Sequence, residues 1–435
     1  MSPIPDSNTD KPVKERRNYL LPLILVTSLF FFWGFVHNLD PVLIPHLKKS
    51  FRLTDLETAF VDFSVFIAYF VMALPAGYFM RKYGYKNGIV LGLALFATGS
   101  LLFLPAADTR QYIFFLGALF IIACGLTFLE TAANPYVTIL GNPETATQRL
   151  NFSQSFNGLA AFLAPVIGGK FIFSGKNYTD IQLEGMLPVE RETYLLEEAS
   201  SVKGPYMVLG IVIIIVAIVF IFTKLPDITE NKEEIETSNI RHALRHSHLS
   251  WAIVAQFFYV GAQVCVLSFF IRFATVSAEI SEQQASWYAG AAGLAFMLGR
   301  FAGTFLMKYI APNRLLMLYA LINMVLSTVT IFAHGMLIVY ALIGIAFFMS
   351  IMFPTIFSMG ITDLGKDTKL GSSLIVMSIV GGAILPLGLG YISDISGSIH
   401  YGYIVPFICF FVVFVFGYKK WKPVITEPVI ALRDL

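Results

Sequence analysis

The sequence predicts an all-α membrane protein with twelve transmembrane helices in two pseudo-symmetric six-helix bundles. Three observations predict this fold class: 56% of the 435 residues are hydrophobic, only 13% are charged, and apolar runs recur along the whole chain. That composition fits no soluble class. Each run reaches the roughly 20 residues that a helix needs to cross a bilayer, about twice the length of a β-barrel strand.

Polar turns divide the apolar residues into twelve predicted spans, numbered 1 to 12 in chain order. They cover residues 19–46, 57–80, 87–106, 111–140, 150–174, 204–223, 249–275, 284–307, 314–333, 336–360, 370–393 and 400–420. The polar segment before span 1 is unlike a secretory signal, so we expect span 1 to be retained. Most Lys and Arg residues outside the spans fall on the side of the two termini, which predicts that both termini are cytoplasmic.

The charge and cysteine content exclude several kinds of partner. A net charge of +2 gives no reason to expect nucleic acid. All three cysteines lie inside apolar runs, which argues against disulfides and thiolate metal ligands. We expect a monomer whose partners are the lipid bilayer and a small molecule.

An internal repeat predicts the two bundles. Residues 76–83 (AGYFMRKY) after span 2 recur as 302–309 (AGTFLMKY) after span 8, with five of the eight positions identical. A second match, at nearly the same spacing, pairs Pro135 with Pro354. Parallel copies of a six-helix unit are typical of transporters with two pseudo-symmetric halves. The predicted units are the N-terminal bundle, a cytoplasmic loop and the C-terminal bundle, at residues 1–223, 224–248 and 249–435.

The loop between the bundles carries His242 and His246, which have the i, i+4 spacing of two metal ligands. The neighbouring sequence places no third ligand beside them. We therefore favour a solvated helix on the cytoplasmic surface and predict no metal site.

Glu130 in span 4 is a carboxylate at membrane depth, inside a continuous apolar helix. A carboxylate there costs about 2.5–3.5 kcal/mol on insertion scales, and it usually marks a path for a substrate, an ion or a proton. The alternative is a structural Glu130 buried against a hydroxyl group or an arginine.

Span 1 contains two further polar side chains, Asn38 and Asp40, followed by Pro41. The proline removes a backbone donor and loosens the last turns of the helix, which would let both side chains reach a cavity. The alternative places Asp40 in the solvated interfacial zone. The same alternative applies to Asp62, early in span 2.

Two stripes of polar residues each share one helix face, because their members recur every three or four residues. Amide groups offer both a donor and an acceptor, which suits hydroxyl groups. The alternative is hydrogen bonding between helices. The candidate binding residues are, in span 5, Asn151, Gln154 and Asn157, and, in span 7, Gln256, Tyr259 and Gln263.

Arg300 lies in the inner half of span 8, between Gly299 and Gly303. A buried arginine requires a carboxylate, carbonyl groups or an anionic ligand. The two glycines have the spacing of close helix contacts. Arg300 is therefore a candidate either for a gate between the bundles or for a substrate contact.

No Walker loop, HExxH pair, Gly-x-Ser-x-Gly elbow or dinucleotide fingerprint occurs in the sequence. We therefore expect neither an enzyme with catalytic residues nor ATP-driven transport within this chain. Transport driven by a gradient remains, without a cofactor.

Several segments carry a family resemblance. Gly77 followed by residues 81–86 (RKYGYK) in the loop between spans 2 and 3 resembles the major facilitator superfamily. Four more specific segments resemble the bacterial fucose–proton symporters: FFFW at 30–33 with Asn38-Leu39, LETAANP at 129–135, AQFFYVGAQ at 255–263 and GSSLIVM at 371–377.

This resemblance implies that Glu130 takes part in proton coupling and that Gln154 and Asn38 lie in the sugar pocket. Span 1 departs from the family pattern, which reads Asn-Leu-Asn-Asp where this chain has Asn38-Leu39-Asp40-Pro41. The aspartate is thus displaced by one residue, about 100° around a helix.

We expect a proton-coupled symporter for fucose or another monosaccharide in a bacterial inner membrane, working by alternating access. Glu130 would bind the proton, and Asp40 would link protonation to sugar binding. The alternatives are a uniporter or exporter of another small polar solute, and a transporter-like sugar sensor.

Overall fold

The structure is a computed structural model. It describes residues 20–39, 43, 46–47, 50–53, 55–172, 182–183, 185–226 and 240–421. These residues form helices, turns and short connections, and no strand occurs among them. The all-α fold class is therefore confirmed.

Long helices dominate the described part of the chain. The α-helices cover Leu20–His37, Asp55–Thr109, Tyr112–Ile139, Ala146–Ile172, Pro188–Ser200, Lys203–Phe222, Ile240–Ala243, Ser247–Ser268, Phe270–Ala278, Glu282–Leu306, Pro312–Phe332, Met336–Met349, Met352–Gly360, Thr368–Met377, Gly381–Ser396, Ile399–Gly402 and Ile404–Val415.

The helices account for all twelve predicted spans. Ten stretches among the described residues are long and apolar enough to cross a membrane. One of them, Phe63–Thr109, holds both span 2 and span 3, because the backbone leaves the helical region at Gly84 (φ 82°, ψ 167°). Glycine adopts this conformation without a Cβ clash. Span 5 is the helix Ala146–Ile172, which is long enough to cross but richer in polar residues.

Span 1 is interrupted after His37, where its first helix ends and a turn follows at residues 38–39, whereas Leu43, His46 and Leu47 are again helical. Asn38 follows the helix, and its side-chain Nδ2 donates to the carbonyl oxygen of Gly34 at 2.7 Å. The sequence supplies a reason for the break, because Pro41 lacks an N–H group and the residue before a proline disfavours helical dihedrals. The hydrogen bond from Asn38 to Gly34 caps the helix that ends at His37.

Spans 7, 10 and 11 contain breaks that the sequence did not predict. The interruptions fall at Phe269, between Met349 and Met352, and at the 3₁₀ turn Ser378–Val380. The apolar pattern continues through each break, so hydropathy alone does not locate it.

The acidic segment between spans 5 and 6 contains a helix, Pro188–Ser200. Its proline occupies the first helical turn, where the missing N–H group costs nothing. Tyr194, Leu195 and Ala199 are buried on one face while most of its acidic residues are exposed. This amphipathic pattern explains why a loop-like composition folds as a helix.

The two bundles pack through pairs of spans that the repeat relates. Span 2 contacts span 11, and span 5 contacts span 8. Since span 2 corresponds to span 8 and span 5 to span 11, these are two copies of one contact. The domain boundaries at residues 223 and 249 stay a prediction.

Span 8 approaches span 10 closely at Gly299 and Gly303, as their spacing predicts. A Cβ atom on Gly299 would lie 2.3 Å from the carbonyl oxygen of Phe347, and one on Gly303 would lie 2.4 Å from Cγ2 of Ile351. Because glycine has no side chain, these two positions let the helices approach this closely.

We expect Gly299→Ala to destabilise the protein by about 1–3 kcal/mol, because backbone must move to admit the methyl group. Gly293→Ala, on the same helix, is the matched control, since a Cβ there meets nothing within 4 Å. Thermal unfolding of both variants in detergent checks this expectation. Equal melting temperatures for the two variants would contradict the close approach.

Candidate functional site

Glu130 lies in the helix Tyr112–Ile139 and is only 8% exposed. Its Oε1 accepts a hydrogen bond of 2.7 Å from the Tyr69 hydroxyl group on span 2. A phenol O–H group can donate to a carboxylate or to a protonated carboxyl. The contact therefore fixes the position of the carboxyl group in either protonation state, and it also supplies the hydroxyl partner that a structural role requires.

Asn134 lies one turn after Glu130 on the same face of span 4. It is fully buried, and its Oδ1 accepts a hydrogen bond of 3.2 Å from Nε2 of Gln154. Gln154 is itself 4% exposed. The polar groups of spans 4 and 5 thus form one buried cluster beside the carboxyl group.

Arg300 joins this cluster to the C-terminal bundle. Its Nη1 donates to the backbone oxygen of Gln154 at 2.6 Å, and its Nε donates to the backbone oxygen of Ser350 at 2.9 Å. The guanidinium group is 4% exposed and lies 4.6 Å from the ring centroid of Phe296. Carbonyl oxygens are therefore the partners that this buried cation uses, and they belong to both bundles.

Gln256 on span 7 is fully buried, and neither atom of its amide group has a hydrogen-bond partner among the described residues. A buried polar group left without a partner costs about 1–3 kcal/mol. Such groups require an explanation, such as a ligand or water that binds there. Tyr259, one turn further on, is also fully buried, whereas Gln263 is half-buried.

Asn157 and Asn38 lie where span 5 meets span 1. A Cβ atom on Gly34 would come within 2.8 Å of the Asn157 side chain, so the helices touch there. Asn38 binds the carbonyl oxygen of the same Gly34. Both residues therefore lie beside Gly34 of span 1. Closer to the start of span 5, Asn151 Nδ2 donates to Thr355 Oγ1 at 3.2 Å.

Two acidic residues of the sequence analysis cannot be placed in the site. Asp40 lies outside the described residues, and for Asp62 only the helical backbone is described. The predicted roles of both residues stay predictions.

Sequence reasoning missed Tyr69 and did not assign Asn134 to the site. Asn134 had a signal, since it shares a helix face with Glu130. Tyr69 had none, because a tyrosine within an apolar span is ordinarily a packing residue.

Further hydrogen bonds close the predicted cytoplasmic end of the bundle interface. We call them the inner hydrogen bonds, and each joins the N-terminal to the C-terminal bundle. They are Thr147 Oγ1 with Ser358 Oγ at 2.8 Å, Gln148 Nε2 to Thr304 O at 3.3 Å, Asn151 Nδ2 to Thr355 Oγ1 at 3.2 Å, and Ser372 Oγ to Thr131 O at 2.9 Å.

The helical architecture and this buried polar cluster define a multi-pass membrane protein of the transporter type. Residues 23–369 match the Major Facilitator Superfamily, and the chain belongs to that family.

Two relatives extend the match over nearly the whole chain. The L-fucose-proton symporter of Escherichia coli (strain K12) is 40% identical over 417 residues, covering 94% of this chain and 95% of that protein. The glucose/galactose transporter of Brucella abortus biovar 1 is 39% identical over 405 residues, covering 93% and 95%. The fucose-symporter resemblance is therefore confirmed, and both relatives are transporters, which agrees with the expectation that the chain is not an enzyme.

A solved structure supports the fold directly. The crystal structure of the transporter FucP in the outward conformation matches with a TM-score of 0.86 and 38% identity, covering 94% of this chain and 100% of that one.

We expect Arg300→Met to weaken closure between the bundles, since it removes both bonds to carbonyl oxygens but keeps the apolar stem. Hydrogen bonds to charged groups contribute about 1.5–3 kcal/mol each. Alkylation of a cysteine introduced at buried Ser358 by a permeant maleimide should then be faster by about tenfold or more. Lys308→Met, exposed just beyond the same helix, is the control, and an alkylation rate equal to that control would contradict the role of Arg300.

Proposed function

We propose that this protein is a proton-coupled monosaccharide symporter of a bacterial inner membrane, with both termini in the cytoplasm. The observation that carries the proposal is Glu130, a carboxyl group at membrane depth held by Tyr69 beside a cluster of buried amides. The names of the two relatives, a fucose–proton symporter and a glucose/galactose transporter, support hexoses as the substrate class.

Amide side chains from both bundles suit hexose binding. Fucose, glucose and galactose share several ring hydroxyl groups, and each hydroxyl both donates and accepts. Gln256 has an unused donor and an unused acceptor in the C-terminal bundle, while Gln154 and Asn134 supply amides in the N-terminal bundle. A sugar between the bundles would satisfy these groups, with Asn38, Asn157, Tyr259 and Gln263 as further contacts.

Glu130 is the group that we assign to the proton. A carboxylate inside a low-dielectric interior is costly, and protonation removes most of that cost. When the cytoplasmic side opens, water reaches the site and solvates the carboxylate. The charged form then costs less free energy, so the proton leaves. Tyr69 holds the carboxyl group in place throughout this cycle.

Gln154 connects the proposed proton site to the Arg300 contact between the two bundles. Its side chain binds Asn134, one turn from Glu130, and its backbone oxygen binds Arg300. A shift of span 4 on protonation would therefore reach the Arg300 contact through a single residue. Asp40 remains our candidate for linking protonation to sugar binding.

The inner hydrogen bonds support a state closed toward the cytoplasm, as does the similarity to the outward conformation of FucP. Neutral hydrogen bonds contribute about 0.5–1.5 kcal/mol each. Together they amount to a few kcal/mol, which binding of a proton and a sugar can supply. Alternating access requires that the free energy holding the interface closed stay this small, so that ligand binding can shift the equilibrium.

A second candidate is a facilitative hexose transporter, in which Glu130 is structural. The Tyr69 contact is the specific observation that favours it, because it satisfies the carboxyl group within the protein.

Glu130→Gln separates the two candidates, since it keeps the size and hydrogen bonding of the side chain but cannot titrate. We expect proteoliposomes with this variant to lose sugar accumulation driven by a pH gradient yet to retain sugar counterflow. The control is Glu144→Gln, exposed in the loop between spans 4 and 5. Undiminished accumulation by Glu130→Gln would make Glu130 structural and place the proton site elsewhere, whereas a parent protein that does not accumulate sugar in response to a pH gradient would establish the facilitative alternative.

Gln256→Leu tests the sugar site. It replaces an unsatisfied buried amide by an apolar group of similar size, so stability should hold or rise while affinity for fucose, glucose or galactose falls by about 1–3 kcal/mol. Asn323 on span 9 is a matched control, because it too is fully buried with both amide atoms unpartnered among the described residues. Calorimetry should show unchanged affinity for Asn323→Leu, and an equal loss in both variants would remove Gln256 from the site.

A further inference from the structure

Three metal-ligating side chains meet at the predicted cytoplasmic end of the C-terminal bundle, away from the transport site. Oδ2 of Asp367 lies 2.6 Å from Nδ1 of His242 and 3.2 Å from Nε2 of His246. The three ligand atoms all lie within 4.8 Å of one another. The cluster overturns the reason for predicting no metal site, which was the lack of a third ligand.

Two separate segments build this cluster. His242 belongs to the short helix Ile240–Ala243, and His246 immediately precedes the helix Ser247–Ser268 of span 7. Asp367 ends the 3₁₀ turn Gly365–Asp367 that leads into span 11. The third ligand is distant in sequence, and only the packing of spans 7 and 11 brings it to the histidine pair.

In this cluster the carboxylate is buried, and the two imidazole rings are partly exposed to solvent. The Asp367 side chain is 1% exposed, whereas the side chains of His242 and His246 are 28% and 26% exposed. A buried carboxylate requires a compensating positive charge or donors. The two imidazoles are accessible from the surface, so an ion can reach all three ligand atoms.

We propose that His242, His246 and Asp367 bind a divalent transition-metal ion, with Zn²⁺ as the best fit. Two imidazole nitrogens and one carboxylate oxygen are a common zinc ligand set, and they leave the fourth tetrahedral position to water. Metal–ligand bonds of about 2.0–2.2 Å place neighbouring ligand atoms about 3.3 Å apart. The distance of 3.2 Å between Asp367 Oδ2 and His246 Nε2 already agrees with this value. A small rotation of the partly exposed His242 ring would lengthen its distance of 2.6 Å to Asp367 Oδ2.

The ion would connect the end of the inter-bundle loop to span 11. Five residues after Asp367, Ser372 makes one of the inner hydrogen bonds, to Thr131 of span 4. A bound metal would therefore stiffen the part of the C-terminal bundle next to this contact. Thermal stability of the folded protein should rise with the metal concentration, because the ion binds the folded state selectively.

The test uses the full-length protein, purified without a histidine tag and treated with a chelator. Titration with Zn²⁺ followed by calorimetry should show saturable binding of one ion per chain. Substitution by Co²⁺ should give the visible absorption of a tetrahedral site with nitrogen and oxygen ligands. Absence of saturable Zn²⁺ binding would overturn the proposal and leave a metal-free hydrogen-bonded cluster.

Three variants localise the ion. His242→Ala, His246→Ala and Asp367→Asn should each weaken Zn²⁺ binding by at least about tenfold, and Asp367→Asn keeps the size and hydrogen bonding of the side chain. The matched control is His334→Ala, from another histidine pair, whose ring centroid lies 5.4 Å from that of His400. Melting temperatures without metal show that each variant is folded, and unchanged affinity in folded Asp367→Asn would overturn the assignment.

Discussion

The contact of Arg300 with one backbone carbonyl oxygen of each bundle is the interaction that, in our proposal, holds the two bundles closed. A cation at this depth has no water to bind, so it is stable only while protein oxygens surround it. Span 5 supplies one oxygen through Gln154, and span 10 supplies another through Ser350. Separation of the bundles removes the first partner, and water or another acceptor must then replace it. Closure and solvent access are therefore coupled by the desolvation of one side chain.

The inner hydrogen bonds across the interface are neutral, and this bears on how the protein can move. Hydroxyl and amide groups give up little free energy when water replaces their partners, since each bond contributes only about 0.5–1.5 kcal/mol net. Buried ion pairs in the same places would have held the interface shut, because breaking one leaves an uncompensated charge. The observed set, Thr147 with Ser358 and Asn151 with Thr355, is thus compatible with repeated opening and closing.

Much of this arrangement could be predicted from the sequence, because the bilayer imposes strong rules on it. Span length, the repeat and the cost of an intramembrane carboxylate are local or periodic signals, and they identified the twelve helices and the membrane depth of Glu130. Tyr69 and Asp367 could not be predicted as partners, since their importance comes from helices that meet only in the folded protein. The break in span 1 and the helix Pro188–Ser200 were missed because hydropathy records neither capping nor short amphipathic segments.

The repeat also shows which features are asymmetric. The contact from Asn151 on span 5 to span 10 corresponds to the contact from Ser372 on span 11 to span 4, so the frame of the interface is symmetric. The charged groups Glu130 and Arg300, in contrast, have no charged counterpart in the other half. Aligning the halves on Pro135 and Pro354 places buried Met349 opposite Glu130, and aligning them on Ala76 and Ala302 places Leu74 opposite Arg300. A symmetric frame lets the bundles rock about one axis, while the proton-binding carboxyl that we propose belongs to one half and the closing arginine to the other. Because each charge lies in only one half, the protonation that we propose for Glu130 in the N-terminal bundle would act on a contact that the C-terminal bundle provides, and the motion would be coupled across the interface.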